Sequence, residues 1–171
     1  MNDEAANIET ALVRSQVFLN CQVWRVRLNV QHRFERASED DLYSPENLDE
    51  LCLDFNKPLR VPVGVRKHYR VGSLWVNISN CGLRLQHKRN VLVRSGDSPK
   101  HILAVFPRML DLRLVSVQID TPGGDTRFEF DEQHTLFCFP ANSTGGASWI
   151  VVTEGGNEFR FRPGAPSALT V

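Results

Sequence analysis

The chain has 171 residues, about one domain's length, with 42% hydrophobic residues and a formal net charge of zero. That composition excludes a disordered polypeptide, and the neutral balance gives no global attraction to nucleic acid or to an anionic membrane, so a charged partner has to be met by a local patch. Four dispersed cysteines, Cys21, Cys52, Cys81 and Cys138, form no Cys-x-x-Cys pair that would mark a zinc site or a dithiol centre.

The acidic start, Met1-Asn-Asp-Glu-Ala-Ala-Asn-Ile-Glu, lacks the basic and apolar regions of a secretory signal. No apolar run approaches the ~20 residues of a bilayer span. A cytoplasmic protein without membrane contact is the expectation.

Residues 1–7 and 165–171 read as loose tails around a single compact domain. Over residues 8–18, Ile8, Leu12 and Ser15 with Leu19 fit a helical stripe and predict one short helix. From Val23 the period is two: Trp24, Val26, Leu28 and Val30 share one face, and Arg25, Arg27, Asn29 and Gln31 take the other. A half-buried strand follows from that alternation.

Residues 31–48 then form an insertion. Across residues 37–50 stand Glu39, Asp40, Asp41, Glu46, Asp49 and Glu50 without one lysine or arginine, and Leu42, Tyr43 and Leu48 are set among the acids. Ser44 and Pro45 fit the cap and first position of a single helical turn. Long insertions inside a compact domain tend to be either functional or disordered.

Residues 57–96 invert the charge, with nine lysines and arginines (Lys57, Arg60, Arg66, Lys67, Arg70, Arg84, Lys88, Arg89 and Arg94) and no carboxylate. Asp97-Ser-Pro-Lys100 predicts a turn, and residues 101–106 a short apolar strand that links two halves. In the second half Val115, Val117 and Ile119 oppose Ser116, Gln118 and Asp120. Thr121-Pro-Gly-Gly124 has the composition of a hairpin turn. Further strands are expected through Phe128 and Phe130, through residues 135–140, through Trp149-Ile-Val-Val152 and through Phe159-Arg-Phe161.

The halves match in pattern. Leu110-Asp-Leu-Arg-Leu-Val-Ser-Val-Gln-Ile-Asp120 lies without gaps on Leu19-Asn-Cys-Gln-Val-Trp-Arg-Val-Arg-Leu-Asn29, and Asp125-Thr-Arg-Phe-Glu-Phe-Asp131 on Glu50-Leu-Cys-Leu-Asp-Phe-Asn56. Less closely, residues 148–151 lie on 74–77 and residues 158–161 on 82–85. The fold class expected is all-β, a duplicated five-strand unit over about residues 19–86 and 110–162 closing into an antiparallel sandwich or partly open barrel of about ten strands. Its core is expected to hold Trp24, Val26, Leu28, Leu53, Phe55, Val117, Ile119, Phe128, Phe130, Trp149, Phe159 and Phe161.

No Gly-x-Ser-x-Gly elbow, P-loop or dinucleotide fingerprint is present, and His32, His68, His87, His101 and His134 never stand at a ligand spacing. A non-enzymatic protein with no cofactor and no metal is the expectation. Nucleic acid is not the expected partner, given the neutral charge and the single aromatic, Tyr69, assignable to the surface of the basic stretch.

Arg66-Lys-His-Tyr-Arg70 followed by Asn77-Ile-Ser-Asn-Cys-Gly82 resembles the Arg-x-x-x-Arg and Asp/Asn-x-Ser-x-x-Gly elements of PilZ domains. That resemblance implies a cyclic di-GMP site built from Arg66, Arg70, Asn77 and Ser79, paired guanidiniums holding phosphates and stacking on guanine. Only six residues separate Arg70 from Asn77, shorter than the family's usual gap.

A second resemblance lies in Leu110-x-x-x-Leu-x-x-Val-x-Ile, Gly124-Asp-Thr-Arg-Phe-Glu-Phe-Asp, Thr135-Leu-Phe-Cys-Phe-Pro and Ser148-Trp-Ile-Val. This pattern is similar to small β-rich bacterial immunity proteins of polymorphic or contact-dependent toxin systems. It implies a protein that neutralises a cognate toxin by direct binding. On that reading the contact residues are Glu39, Asp40, Asp41, Leu42, Tyr43, Glu46 and Asp49, clustered carboxylates with apolar anchors suited to a basic, nuclease-like toxin. Pairing of the acidic insertion with the chain's own basic stretch, and a purely structural or oligomerisation role, are the bland alternatives.

Overall fold

The computed structural model describes residues 19–30, 48–62, 68–79, 81–120, 124–140, 149–153 and 158–161. Ten strands lie among them, in chain order β1 (Val23–Val30), β2 (Leu48–Pro62), β3 (His68–Ser79), β4 (Cys81–His87), β5 (Asn90–Arg94), β6 (Leu114–Asp120), β7 (Asp125–Phe130), β8 (His134–Pro140), β9 (Trp149–Thr153) and β10 (Glu158–Phe161). They form two five-stranded sheets, β1-β2-β3-β9-β10 and β5-β4-β8-β7-β6, in which every pairing is antiparallel. The all-β sandwich is therefore the architecture. The expected helix over 8–18, both tails and most of the acidic insertion lie outside the described residues.

Read from the other edge, the second sheet is β6-β7-β8-β4-β5, the same order as the first with each half contributing three strands to one sheet and two to the other. The correspondence extends to single bonds. Gln22 bridges Arg113, the residue 91 positions further along, and the hydrogen bonds around that bridge come in matching pairs. Asn20 N–H donates to Leu114 O at 2.7 Å and Asp111 N–H to Val23 O at 2.8 Å, while Asn56 N–H reaches Gln22 O and Asp131 N–H reaches Arg113 O, both at 2.9 Å. Asn20 and Asp111 both take the left-handed conformation, at φ 66° and 68°, which Asn and Asp tolerate better than other side chains.

Sheet position does not follow the looser half of the sequence match. Residues 148–151 were expected to be the counterpart of 74–77, but β9 lies beside β3, with Val76 opposite Val151, and holds the place that β4 holds beside β8. Both alternating strands carry the same apolar rhythm, and rhythm alone cannot separate a neighbour from a counterpart.

Alternation sends Leu51, Leu53, Phe55, Val76 and Ile78 of one sheet and Leu83, Leu85, Phe128, Phe130 and Leu136 of the other into a shared interior, all buried. Trp149 is its centre. It is fully buried, meets Phe128 edge-on at 5.8 Å, stacks on Phe161 at 5.2 Å, and its indole N–H donates to Thr126 Oγ1 at 3.0 Å across the sheets. Burying the large rings stabilises by about 2–3 kcal/mol each.

Two expectations about this interior are corrected. Trp24 is half-buried, because register slips between Val23 and Arg25; a β-bulge there turns Val23 inward and leaves the Trp24 ring under the Arg25 guanidinium, whose Cζ is 4.9 Å from its centroid. The same slip falls between Leu114 and Ser116, so the matching bulged residue, Val115, is exposed. The linker is also no strand. Helix α1 (Pro99–Val105) runs into a 3-10 turn (Phe106–Met109). Pro99 sits in its first turn, and Ile102, Val105, Phe106 and Met109, spaced i, i+3, i+4, i+7, are all buried.

Candidate functional site

The outer face of the first sheet carries a charge cluster that alternation dictates. With Leu51, Leu53 and Phe55 inward, Cys52 and Asp54 point outward, opposite Arg27 and Arg25 in the β1–β2 register. Asp54 is fully buried. Arg25 Nε donates to its Oδ2 at 2.8 Å, and Arg27 clamps both carboxylate oxygens, Nε to Oδ2 at 2.9 Å and Nη2 to Oδ1 at 3.0 Å. Arg27 Nη2 also reaches Cys52 Sγ at 2.7 Å. Burial dominates the thiol, pushing its pKa up to about 12 against the smaller pull of Arg27. A buried thiol of that kind is a poor nucleophile.

Asn77, from the PilZ-like motif, belongs to the same face. Its amide donates to Glu50 Oε1 at 2.6 Å, and its own Oδ1 is buried without a partner. Ser79 follows on β3 opposite Glu50. Arg70 is placed on β3 opposite Arg60, and Arg66 lies outside the described residues. Of the proposed toxin contacts, Glu39, Asp40, Asp41, Leu42, Tyr43 and Glu46 also lie outside them, and Asp49 is the second residue of β2.

The outer face of the second sheet was not foreseen. On β8, Leu136 and Cys138 face inward and are buried, so Phe137 and Phe139 face outward, half-buried, with their rings parallel to within 2° and 6.1 Å apart. Arg84, opposite Phe137 in the β4–β8 register, lays its guanidinium over both rings, Cζ 4.4 Å from the Phe137 centroid and 5.0 Å from that of Phe139. Its Nε is buried with no acceptor. On either side stand Arg94, opposite Arg84, and Arg127, opposite Phe137. Arg127 is tied to Gln118 at 2.7 Å, with Asp120 3.9 Å away.

The signal for this face was present in the sequence. Thr135-Leu-Phe-Cys-Phe-Pro is apolar at both parities, which in a strand with one face to the core leaves aromatics on the other.

At the end of the same sheet His87 and His134, opposite one another, stack at 4.7 Å. Burial, with His87 next in weight, holds His134 below its ordinary value of 6.5. Beside them the β7–β8 turn puts Glu132 and Gln133 at φ 51° and 61°, and the β4–β5 turn puts Lys88 at 57°.

Among the described residues no three His, Cys, Asp or Glu side chains gather as a metal site, no helix is long and apolar enough to cross a membrane, and no cysteine is in a disulfide. No family model, no curated protein and no solved structure matches the chain.

Proposed function

We propose that the chain is a non-enzymatic binding protein of the immunity type, which holds a basic, nuclease-like toxin through the acidic insertion at residues 39–49. The observation that carries the reading is a difference between two equivalent hairpins. The β6–β7 hairpin closes in residues 121–124, ending on Gly124 at φ 73°, whereas its counterpart β1–β2 spends residues 31–47 on the same connection. Antiparallel closure needs no such length. Selection for something other than folding accounts for the excess, and the six carboxylates of residues 37–50, with Leu42, Tyr43 and Leu48 set among them, give a basic partner both steering and anchorage.

Among the described residues Arg84, Lys88, Arg89 and Arg94 make no ion pair with a carboxylate; the insertion with which they would self-pair lies outside those residues. The PilZ-like reading gains nothing specific, since Asn77 is committed to Glu50.

The test is protection. The chain is co-expressed with the toxin domain encoded beside its gene, and survival and binding are followed for wild type and for Asp40→Lys/Asp41→Lys. Survival of wild-type cells and loss of both readouts in the double variant at about 0.15 M salt, where exposed charges are screened beyond ~8 Å, support the reading. Unchanged binding by the variant removes the insertion as the contact surface.

A further inference from the structure

We propose that the outer face of the second sheet is a binding site for single-stranded nucleic acid, with Arg84 and the Phe137–Phe139 pair at its centre. This surface is independent of the acidic insertion and of the toxin reading.

The starting point is an arrangement unfavourable on its own. Arg84 and Arg94 are directly cross-strand, and like charges in that relation destabilise a sheet. Residues 81–96 hold Arg84, Lys88, Arg89 and Arg94 and no carboxylate; Lys88 and Arg89 are exposed at the hairpin tip. The Arg84 Nε–H is withdrawn from water with nothing to accept it. An isolated fold gains nothing by gathering uncompensated guanidiniums, and an incoming anion relieves the strain.

Geometry decides which anion. The guanidinium of Arg84 is fixed by contact with both rings, so a planar donor fork is already immobilised and little rotamer freedom is lost on binding. The cations are spread across neighbouring strands, Arg94 on β5, Arg84 on β4 and Arg127 on β7, with strands about 4.8 Å apart. They make a track and not a single pocket, which suits a chain of phosphates. Between the cations stand two parallel aromatic rings. Cationic grooves interleaved with aromatic and arginine planes are how proteins hold unpaired bases by stacking and their backbone by charge. An acidic polypeptide would use the charges and leave the rings idle. Formal neutrality of the whole chain does not weigh against this, because the charge is uneven along it: residues 81–96 carry four cations and no carboxylate.

The experiment is fluorescence anisotropy of a labelled oligothymidylate of about 12 nucleotides, a length within the usual footprint of such faces, titrated with the full chain at roughly 50 and 200 mM salt. Expected are saturable binding at low salt, weaker binding at high salt, and about a tenfold loss in each of Arg84→Gln and Phe137→Leu, the size of one stacked base. Arg84→Lys keeps the charge but not the planar fork and falls nearly as far. Arg94→Gln weakens binding less and shallows the salt dependence. Arg108→Gln, at an exposed site on the 3-10 turn, changes neither, and circular dichroism checks that each variant is folded. Absence of wild-type binding at low salt, wild-type affinity in Arg84→Gln, or equal competition by polyglutamate of matched charge would each overturn the proposal.

Discussion

Removal of the Asp54 carboxylate is the sharpest test of how the first sheet is held together. Asp54→Ala leaves two guanidiniums, whose side chains are only 25% and 24% exposed, without the anion that three hydrogen bonds direct them to. Breaking a fully buried pair by removing one partner destabilises by about 3–5 kcal/mol. Because a quarter of each arginine side chain still reaches water, the lower end, about 3 kcal/mol, is expected. For a chain of this length that lowers Tm by roughly 6–12 °C. Arg27→Gln deletes the bidentate clamp and is expected to cost about 2 kcal/mol; Arg25→Gln deletes one bond and costs about 1 kcal/mol. Urea unfolding at constant m gives the three values. A cost below about 1 kcal/mol for Asp54→Ala, or a larger effect from Arg25→Gln than from Arg27→Gln, refutes the view that Asp54 is a buried anchor for β1.

Three further outcomes follow from the second sheet and the thiols. Gln133→Gly, which relieves a left-handed residue in a tight turn, is expected to raise stability by about 1 kcal/mol, and an unchanged urea midpoint counts against that conformation. Burial holds His134 below 6.5, so as pH falls through that value the unfolded chain takes up the proton first. Stability then declines until the folded value is passed, and is unaffected well above 6.5. His134→Gln should flatten that decline between about pH 7 and 5, and parallel curves would contradict it. At about pH 8 iodoacetamide should leave Cys52 and Cys138 unmodified in the folded chain, since burial raises both thiols; mass spectrometry showing early labelling of either places it at the surface.

The residues that made the fold legible are those whose alternation is simple. Val26 and Leu28, and their counterparts Val117 and Ile119, pack against the core as their period-two pattern requires, and Leu53, Phe55, Phe128, Phe130, Trp149 and Phe161 are buried. Trp24 was not legible, because a bulge shifts parity by one residue without any mark in composition. The strand expected over 101–106 failed for a different reason: six residues are too few to separate the two periods, and the stripe that settles the matter includes Met109, beyond the window. Nothing local to Asp54 announces that Arg25 and Arg27 enclose it from the neighbouring strand. Phe137 and Phe139 stand in a strand that is apolar at both parities, and side chains of both parities cannot all reach one interior.

The two proposed surfaces can be told apart by experiment. The acidic insertion joins β1 to β2 in one sheet, and the Arg84 face belongs to β4 and β8 in the other. Neutralising Asp40 and Asp41 to asparagine adds two units of positive charge, but at about 0.15 M salt the Debye length is ~8 Å. If the two binding sites are separate, with the insertion further from Arg84 than that, oligonucleotide affinity should change by less than about twofold. Conversely Arg84→Gln should leave toxin protection intact, since effects at separate sites add. A tenfold gain in oligonucleotide affinity on neutralising the insertion would mean that the chain's own carboxylates compete for the guanidiniums of the second sheet. In that event the neutral sum of charges would be an internal pairing, and the insertion would act as a regulator of the Arg84 face instead of a separate docking element.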